Sequence, residues 1–236
     1  MRTQELVRGI RDGIPICLGY FSVSVAFGMT AVLAGMPLWA AVLISLTNLT
    51  SAGQFAGTNL MIAGGGMAEL ALTTLVINIR YFLMSLSVSQ KVERRMGLGR
   101  RLAVAFGITD EIFAVSMQHP GELTSPYMAG LILTPVLGWT GGTLVGGAAT
   151  SVMPPALSGA LGIALYGMFI AVIIPPARKE RSVLYTVLLA VAASYAFTCV
   201  PALKSLGSGW SIIIITVAVS GLMAWLFPKK GEGDDE

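Results

Sequence analysis

Three short stretches of this chain hold side chains that an apolar segment does not ordinarily carry. The first is TNLTSAGQFAG, Thr47 to Gly57, set inside an apolar run from Leu38 to Ala63. Thr47, Ser51, Gln54 and Thr58 recur at spacings of four, three and four, which lines them on one helical face. Ser and Thr can bond their own backbone, and GQFAG can let two helices approach closely. Asn48 and Gln54 are harder to hide, and a broken helix at the midplane of a transporter is where such groups form a substrate or ion site. The second stretch is VINIRYFLMSLSVS, Val76 to Ser89, where Asn78, Tyr81 and Ser85 share a face. Arg80 sits near the middle of that span, where a charge costs at least about 2.5 to 3.5 kcal/mol and needs a partner or water. Its partner is either a carboxylate of the protein, fixing helix registry, or the carboxylate of a substrate, which Arg holds bidentately. The third stretch, FGITDEIFA, Phe106 to Ala114, supplies adjacent acids. On a helix Asp110 and Glu111 point about 100° apart and cannot both face one group. One can pair with Arg80 while the other faces a cavity and loads a proton; the alternative is that both cap a helix N-terminus. Glu69, near a segment end, is expected to be solvated.

The elements that position these residues follow from composition. The chain has 236 residues, 55% hydrophobic and 11% charged, with mean hydropathy +0.78; soluble domains carry about 25% charged residues. Apolar runs of roughly 20 residues, enough to cross a bilayer core, recur along nearly the whole length. The fold class is therefore all-α, a polytopic membrane helix bundle. Its apolar segments are Ile14 to Ala34, Leu38 to Ala63, Met67 to Gln90, Leu102 to Met117, Tyr127 to Ala149, Pro155 to Ile174, Val183 to Leu203, and Ser211 to Phe227. Residues 1–13 read as a cytoplasmic N-terminus, 14–227 as a single transmembrane domain, and 228–236 as a disordered cytoplasmic tail.

Basic residues set the orientation. Arg2, Arg8 and Arg11, the loop Lys91 to Arg101, Arg178 to Arg181, and Lys229 with Lys230 all belong on the cytoplasmic side. Counting every segment as a full crossing puts Arg94 and Arg95 outside, so one segment in each half must fail to cross. In the first half that is the segment holding TNLTSAGQFAG, since irregular backbone at membrane depth is tolerated where it faces protein or a water-filled cavity. In the second half it is either Leu102 to Met117 or GGAATSVMPPALSG, Gly146 to Gly159. One odd segment per half hints at an internal repeat of the transporter kind.

Other chemistries are unsupported. His119 is the single histidine and reads as a loop residue before Pro120; with Cys17 and Cys199 in apolar segments there is no zinc or transition-metal cluster and no disulfide. The glycines at 138, 142 and 146 form a helix-packing strip rather than a phosphate loop. No GxSxG is present, nothing points to an enzyme, and a net charge of +3 without a clustered basic face does not suit nucleic acid.

TNLTSAGQFAG, NIRYFLMSLSVS and TDEIFA, in that order after GIRDGIPICLGY, resemble the AzlC family of bacterial branched-chain amino acid exporters. The resemblance is strong from Gly9 to Ala114 and weakens after Tyr127, where GMFIAVIIP, Gly167 to Pro175, is the familiar run. It implies the large subunit of an exporter in the bacterial plasma (inner) membrane, multi-pass with a cytoplasmic N-terminus, working with a small AzlD-type membrane partner. It also implies leucine, isoleucine, valine and methionine as substrates, moved outward by the proton gradient, with no cofactor and no catalytic residue. The site residues come from the physical reading alone: Asn48, Ser51, Gln54, Asn78, Arg80 and Tyr81 for substrate, Asp110 and Glu111 for proton coupling. Alternating access would place the substrate carboxylate near Arg80 or the amides around Ser51 to Gly53, and its aliphatic part against Phe55, Phe82 or Phe113. A small-solute channel and an assembly scaffold for a partner are the alternative functions.

Overall fold

The computed structural model describes residues 2–150, 170, 173–200 and 206–228. Most of the candidate segment Pro155 to Ile174, the stretch 151–159 and most of Gly167 to Pro175 lie outside the described residues, as does the tail beyond 228. Among the described residues the secondary structure is helical, apart from one isolated bridge between Val92 and Leu123. The helices are α1 Arg2–Leu33, α2 Leu38–Thr47, α3 Ser51–Ile62, α4 Met67–Lys91, α5 Leu98–Phe106, α6 Asp110–Gln118, α7 Ser125–Ala149, α8 Arg181–Cys199 and α9 Ser208–Leu226. Of these, α1, α4, α7, α8 and α9 are long and apolar enough to cross a membrane. They fall into two compact units: residues 1–58 with 78–165, and residues 59–77 with 166–236.

In the first unit α1 and α7 run side by side in the same direction. Gly138, Gly142 and Gly146 of α7 lie against the carbonyls of Cys17, Phe21 and Val25, and Gly9 and Gly28 of α1 lie against those of Tyr127 and Thr143. A Cβ at any of these glycines would strike backbone, so the glycine strip is the seam that lets the helices touch. That seam also explains why α1 begins well before Ile14. Its 32 residues span about 48 Å, more than the roughly 30 Å hydrocarbon core, and its polar first turns are held by α7: Tyr127 donates to Asp12 at 3.0 Å.

The expected interruption in the first half is present, and of the two candidates in the second half Leu102 to Met117 is interrupted while most of Gly146 to Gly159 lies outside the described residues. After Thr47 the backbone of Asn48 is extended (φ −139°, ψ 97°). The Asn48 Oδ1 accepts from Thr50 N at 3.3 Å and Thr50 Oγ1 at 2.5 Å, an Asx turn that outcompetes the helix before it resumes at Ser51. Thr47 therefore does not share a helical face with Ser51, Gln54 and Thr58; its hydroxyl bonds the carbonyl of Leu43 at 2.8 Å. The segment Leu102 to Met117 is likewise two helices. Gly107 ends α5, and Thr109 caps α6, its Oγ1 accepting from Ile112 N. With 9 to 12 residues each, α2, α3, α5 and α6 reach only about 14 to 18 Å, and none crosses alone.

Contacts within the first unit show that each pair is a hairpin. Leu38 touches Gly147, Ser45 meets Thr143, and Gln54 meets Trp139. The chain then turns back, since Phe55 lies edge-on to Phe27 at 5.1 Å. This hairpin enters from the Ala149 end of α7. The second enters from the Ser125 end: Gly107 lies against Ile132, Tyr20 meets Thr109 and Glu111, and Lys91 Nζ donates to the carbonyls of Ser116 and Met117 at 3.2 and 2.6 Å. The end of α4 and the start of α7 are tied together, because Glu93 accepts from the backbone and hydroxyl of Ser125 at 3.1 and 2.9 Å. Those two bonds hold the Glu93 carboxyl below its usual range. The starts of α1, α5 and α7 and the end of α4 thus share one end of the unit, which carries Arg2, Arg8, Lys91, Arg94, Arg95, Arg100 and Arg101.

In the second unit the expectation of a solvated Glu69 is overturned. Glu69 is only 9% exposed, and its Oε1 accepts from the backbone N–H groups of Gly209 and Trp210 at 2.8 and 3.2 Å. A carboxylate is favoured there by the unpaired amides and positive dipole end of α9. Gly207 and Gly209 make room, since a Cβ at either would meet the Glu69 side chain. The partner is more than a hundred residues away in sequence, which is why no local pattern disclosed it. Tyr185 and Phe227 stack at 6.0 Å.

Candidate functional site

The two hairpin tips place polar groups at the middle of the first unit. At the first tip Gln54 is 1% exposed and belongs to a closed circuit. Trp139 Nε1 donates to Gln54 Oε1 at 2.9 Å, and Gln54 Nε2 donates to Ser45 Oγ at 2.6 Å. Ser45 lies 2.7 Å from Thr143 Oγ1, which donates to the Trp139 carbonyl at 3.1 Å. Gln54 thus ties α2, α3 and α7 together. Asn78 of α4 lies over Gly53, where a Cβ would come within 2.7 Å of its amide, and its Oδ1 is buried without a hydrogen bond. Ser51 opens α3 beside it, half-buried.

The second tip is charged. Arg80 Nη2 is 2.8 Å from Asp110 Oδ2, with 47% and 39% of the two side chains accessible. That accessibility decides what they face. An ion pair near mid-span is costly when bare against hydrocarbon, so the accessible faces of this one call for water, a ligand or further protein. Arg80 also donates to the Tyr81 hydroxyl at 3.2 Å, its guanidinium 5.0 Å from the ring centroid. Glu111 turns the other way, accepting from the hydroxyl of Tyr20, whose oxygen lies 2.7 Å from Thr109 Oγ1. Both acids occupy the first turn of α6, but its cap is Thr109, so neither acid serves as the cap. Tyr20 in turn meets Trp139 edge-on at 5.3 Å, making Trp139 the bridge between the circuit at the first tip and the carboxylates at the second.

The structure thus brings Arg80, Tyr81, Asp110 and Glu111 together, places Asn78 and Ser51 at the first tip, and gives Gln54 and Asn48 protein partners. Of the aromatic candidates, Phe55 is buried against Phe27, Phe113 packs against the core, and Phe82 stands 72% exposed. Tyr20, Ser45, Thr109, Trp139 and Thr143 were missed by sequence reading. Tyr20 falls within the familiar GIPICLGY, but its spacing to FGITDEIFA carries no signal.

This arrangement, two opposed broken helices with a charged midplane, sits inside residues that match a known family: the AzlC protein family covers residues 15–153. The chain belongs to the AzlC family. Among AzlC-like relatives, the inner membrane protein YgaZ of Escherichia coli strain K12 is 27% identical over 78% of each chain. An uncharacterized membrane protein of Archaeoglobus fulgidus is 28% identical over 71% of this chain and 74% of its own. A membrane protein of Helicobacter pylori, also uncharacterized, is 28% identical over 60% and 64%. No solved structure matches the chain. AzlC proteins are transporter-type membrane proteins linked to amino acid transport, and every residue of both hairpin tips lies within the matched region.

Proposed function

We propose that this AzlC chain is the large subunit of a secondary transporter exporting leucine, isoleucine, valine and methionine across the bacterial inner membrane. It works with a small AzlD-type membrane subunit, is driven by the proton gradient and has its N-terminus in the cytoplasm. One observation carries the reading: Arg80 and Asp110 form an accessible ion pair at the tip of a re-entrant hairpin. A zwitterionic amino acid has the complementary charges. Its carboxylate takes the Arg80 guanidinium bidentately and its ammonium takes Asp110, so substrate replaces an internal salt bridge with two external ones. Glu111, held by Tyr20 on the neighbouring face, carries the proton. An aliphatic side chain in the same cavity is discriminated by only about 1 to 3 kcal/mol per methylene, hence breadth among the four substrates.

The test is efflux of radiolabelled leucine from preloaded cells coexpressing this chain and its small neighbour. Wild type is expected to speed efflux, and Arg80→Gln or Asp110→Asn to abolish the gain per molecule of folded protein. Efflux that ignores both substitutions moves the function to a channel or an assembly scaffold.

A further inference from the structure

A cavity of about 890 Å3 lies away from the charged tip. It is a groove at the basic end of the first unit, between the start of α1, α5 and the first half of α7. Its two ends differ in chemistry. One end holds Arg2 and Arg100, and the other is lined by Phe106, Ala129, Leu133 and Val136. Phe106 and Leu133 are 58% and 56% exposed, so the apolar end is open from the side. Among the described residues neither guanidinium has a hydrogen bond or ion pair. Two acids share that end, Glu93, which accepts from Ser125 and feels the charges of Arg100 and Arg2, and Glu5, which accepts from the Thr124 hydroxyl at 3.5 Å. Within the groove Glu5 and Glu93 balance Arg2 and Arg100, and Arg8, Lys91, Arg94, Arg95 and Arg101 leave this end of the unit net positive above the apolar trough.

The depth of the trough identifies its occupant. From Thr124 to Val136 the groove follows α7 for about 18 Å, close to the roughly 15 Å hydrocarbon depth of one leaflet. An occupant must therefore be anionic at the surface, apolar along one leaflet, and no longer. We propose that this groove binds one anionic phospholipid of the leaflet at the basic end. Its phosphate lies between Arg2 and Arg100, and an acyl chain runs along α5 and α7. Guanidinium suits a phosphate because its planar donors meet two oxygens at once. A lipid there also fills the space between the second hairpin and α7, on which that hairpin leans.

The test is native mass spectrometry of the full-length chain in detergent, titrated with phosphatidylglycerol or phosphatidylcholine. Wild type should retain one phosphatidylglycerol in preference to phosphatidylcholine. Arg100→Gln should weaken that retention about fivefold, and Arg2→Gln with Arg100→Gln by a further similar factor, as about 1 kcal/mol per surface cation implies. Arg100→Lys, which keeps the charge, should retain most of the preference, and Ala129→Trp, which fills the trough, should remove retention of both lipids. Millimolar inorganic phosphate should not displace the lipid. Equal retention of the two lipids, an unchanged preference in the double glutamine variant, displacement by phosphate, or loss of phosphatidylglycerol when the small partner subunit is bound would each overturn the proposal. The last outcome would give the groove to a protein helix.

Discussion

The two hairpins of the first unit have the same plan and opposite interiors. Each consists of two short helices entering from one end, broken near mid-depth at a threonine that precedes the second helix, and each resumes with a Phe-Ala pair, Phe55–Ala56 and Phe113–Ala114. Each leads into a 25-residue helix, α4 after the first and α7 after the second, and within the unit α4 runs from Asn78 toward the basic end while α7 runs away from it. Yet the first tip is neutral, buried and closed on itself through Gln54, whereas the second is charged and accessible through Asp110 and Glu111. A ring of satisfied hydrogen bonds resists opening, because every bond broken in an apolar interior leaves an unpaired donor or acceptor. An accessible ion pair can exchange its partner for a ligand at little cost. The comparison assigns a holding role to the first tip and an exchanging role to the second.

The largest expected effect tests that assignment at the charged tip. Either single substitution, Arg80→Gln or Asp110→Asn, leaves one charge near mid-span without its partner and should lower the amount of folded protein as well as transport. The double variant Arg80→Gln with Asp110→Asn removes both charges. It should restore protein level to near wild type while leucine efflux stays at background, measured by immunoblot and isotope release. Restored efflux in the double variant would reduce the pair to a registry device.

Next in size is the neutral tip. Gln54→Leu strands Trp139 Nε1, leaves Ser45 only its bond to Thr143, and should destabilise the protein by about 1 to 3 kcal/mol, read as a lower melting temperature in detergent. Efflux per folded molecule should fall only a few-fold. If Gln54→Leu instead abolishes efflux with an unchanged melting temperature, the two tips share the exchanging role.

The smallest effect lies at the base of the second hairpin. His119 closes α6, is 8% exposed, and stacks on Tyr127 at 4.1 Å with both ring nitrogens lacking a hydrogen bond. Burial, reinforced by the positive charge of Arg8, holds the imidazole below its ordinary value of 6.5. The folded state therefore binds fewer protons than the unfolded one. This contribution is complete above about pH 6.5 and is lost as pH falls from there through the lowered folded value. His119→Phe should flatten the dependence of melting temperature on pH below neutrality while leaving the plateau within about 1 kcal/mol, as expected of a shape-conserving aromatic exchange. An unchanged slope would place the pH sensitivity in the carboxylates.

Much of this was legible beforehand because membrane constraints are local and severe. An Asn or Gln among apolar residues, a charge at mid-span, and glycines at every fourth position each violate what a lipid-facing helix tolerates. Those violations pointed to a break within TNLTSAGQFAG, to Arg80 with an acid of TDEIFA, and to the glycine seam, though the break falls at Asn48 rather than at Gly53 or Gly57. The sequence reading of Glu69 failed because the amides that hold it begin at Gly209, and a reading by position along one helix sees only the end of the segment.

Composition and periodicity by themselves determined that the chain is a helical membrane protein, where its apolar segments lie, and that one segment in each half is irregular, because solvent and hydrogen-bond requirements act on each segment separately. Tertiary structure alone decided that Asp110 takes Arg80 while Glu111 takes Tyr20, and that Gln54 is spent on Trp139 and Ser45. Only there did Arg2 and Arg100 come to head an apolar groove. Those outcomes depend on which helices touch, and contacts across dozens of residues leave no spacing in the chain to read.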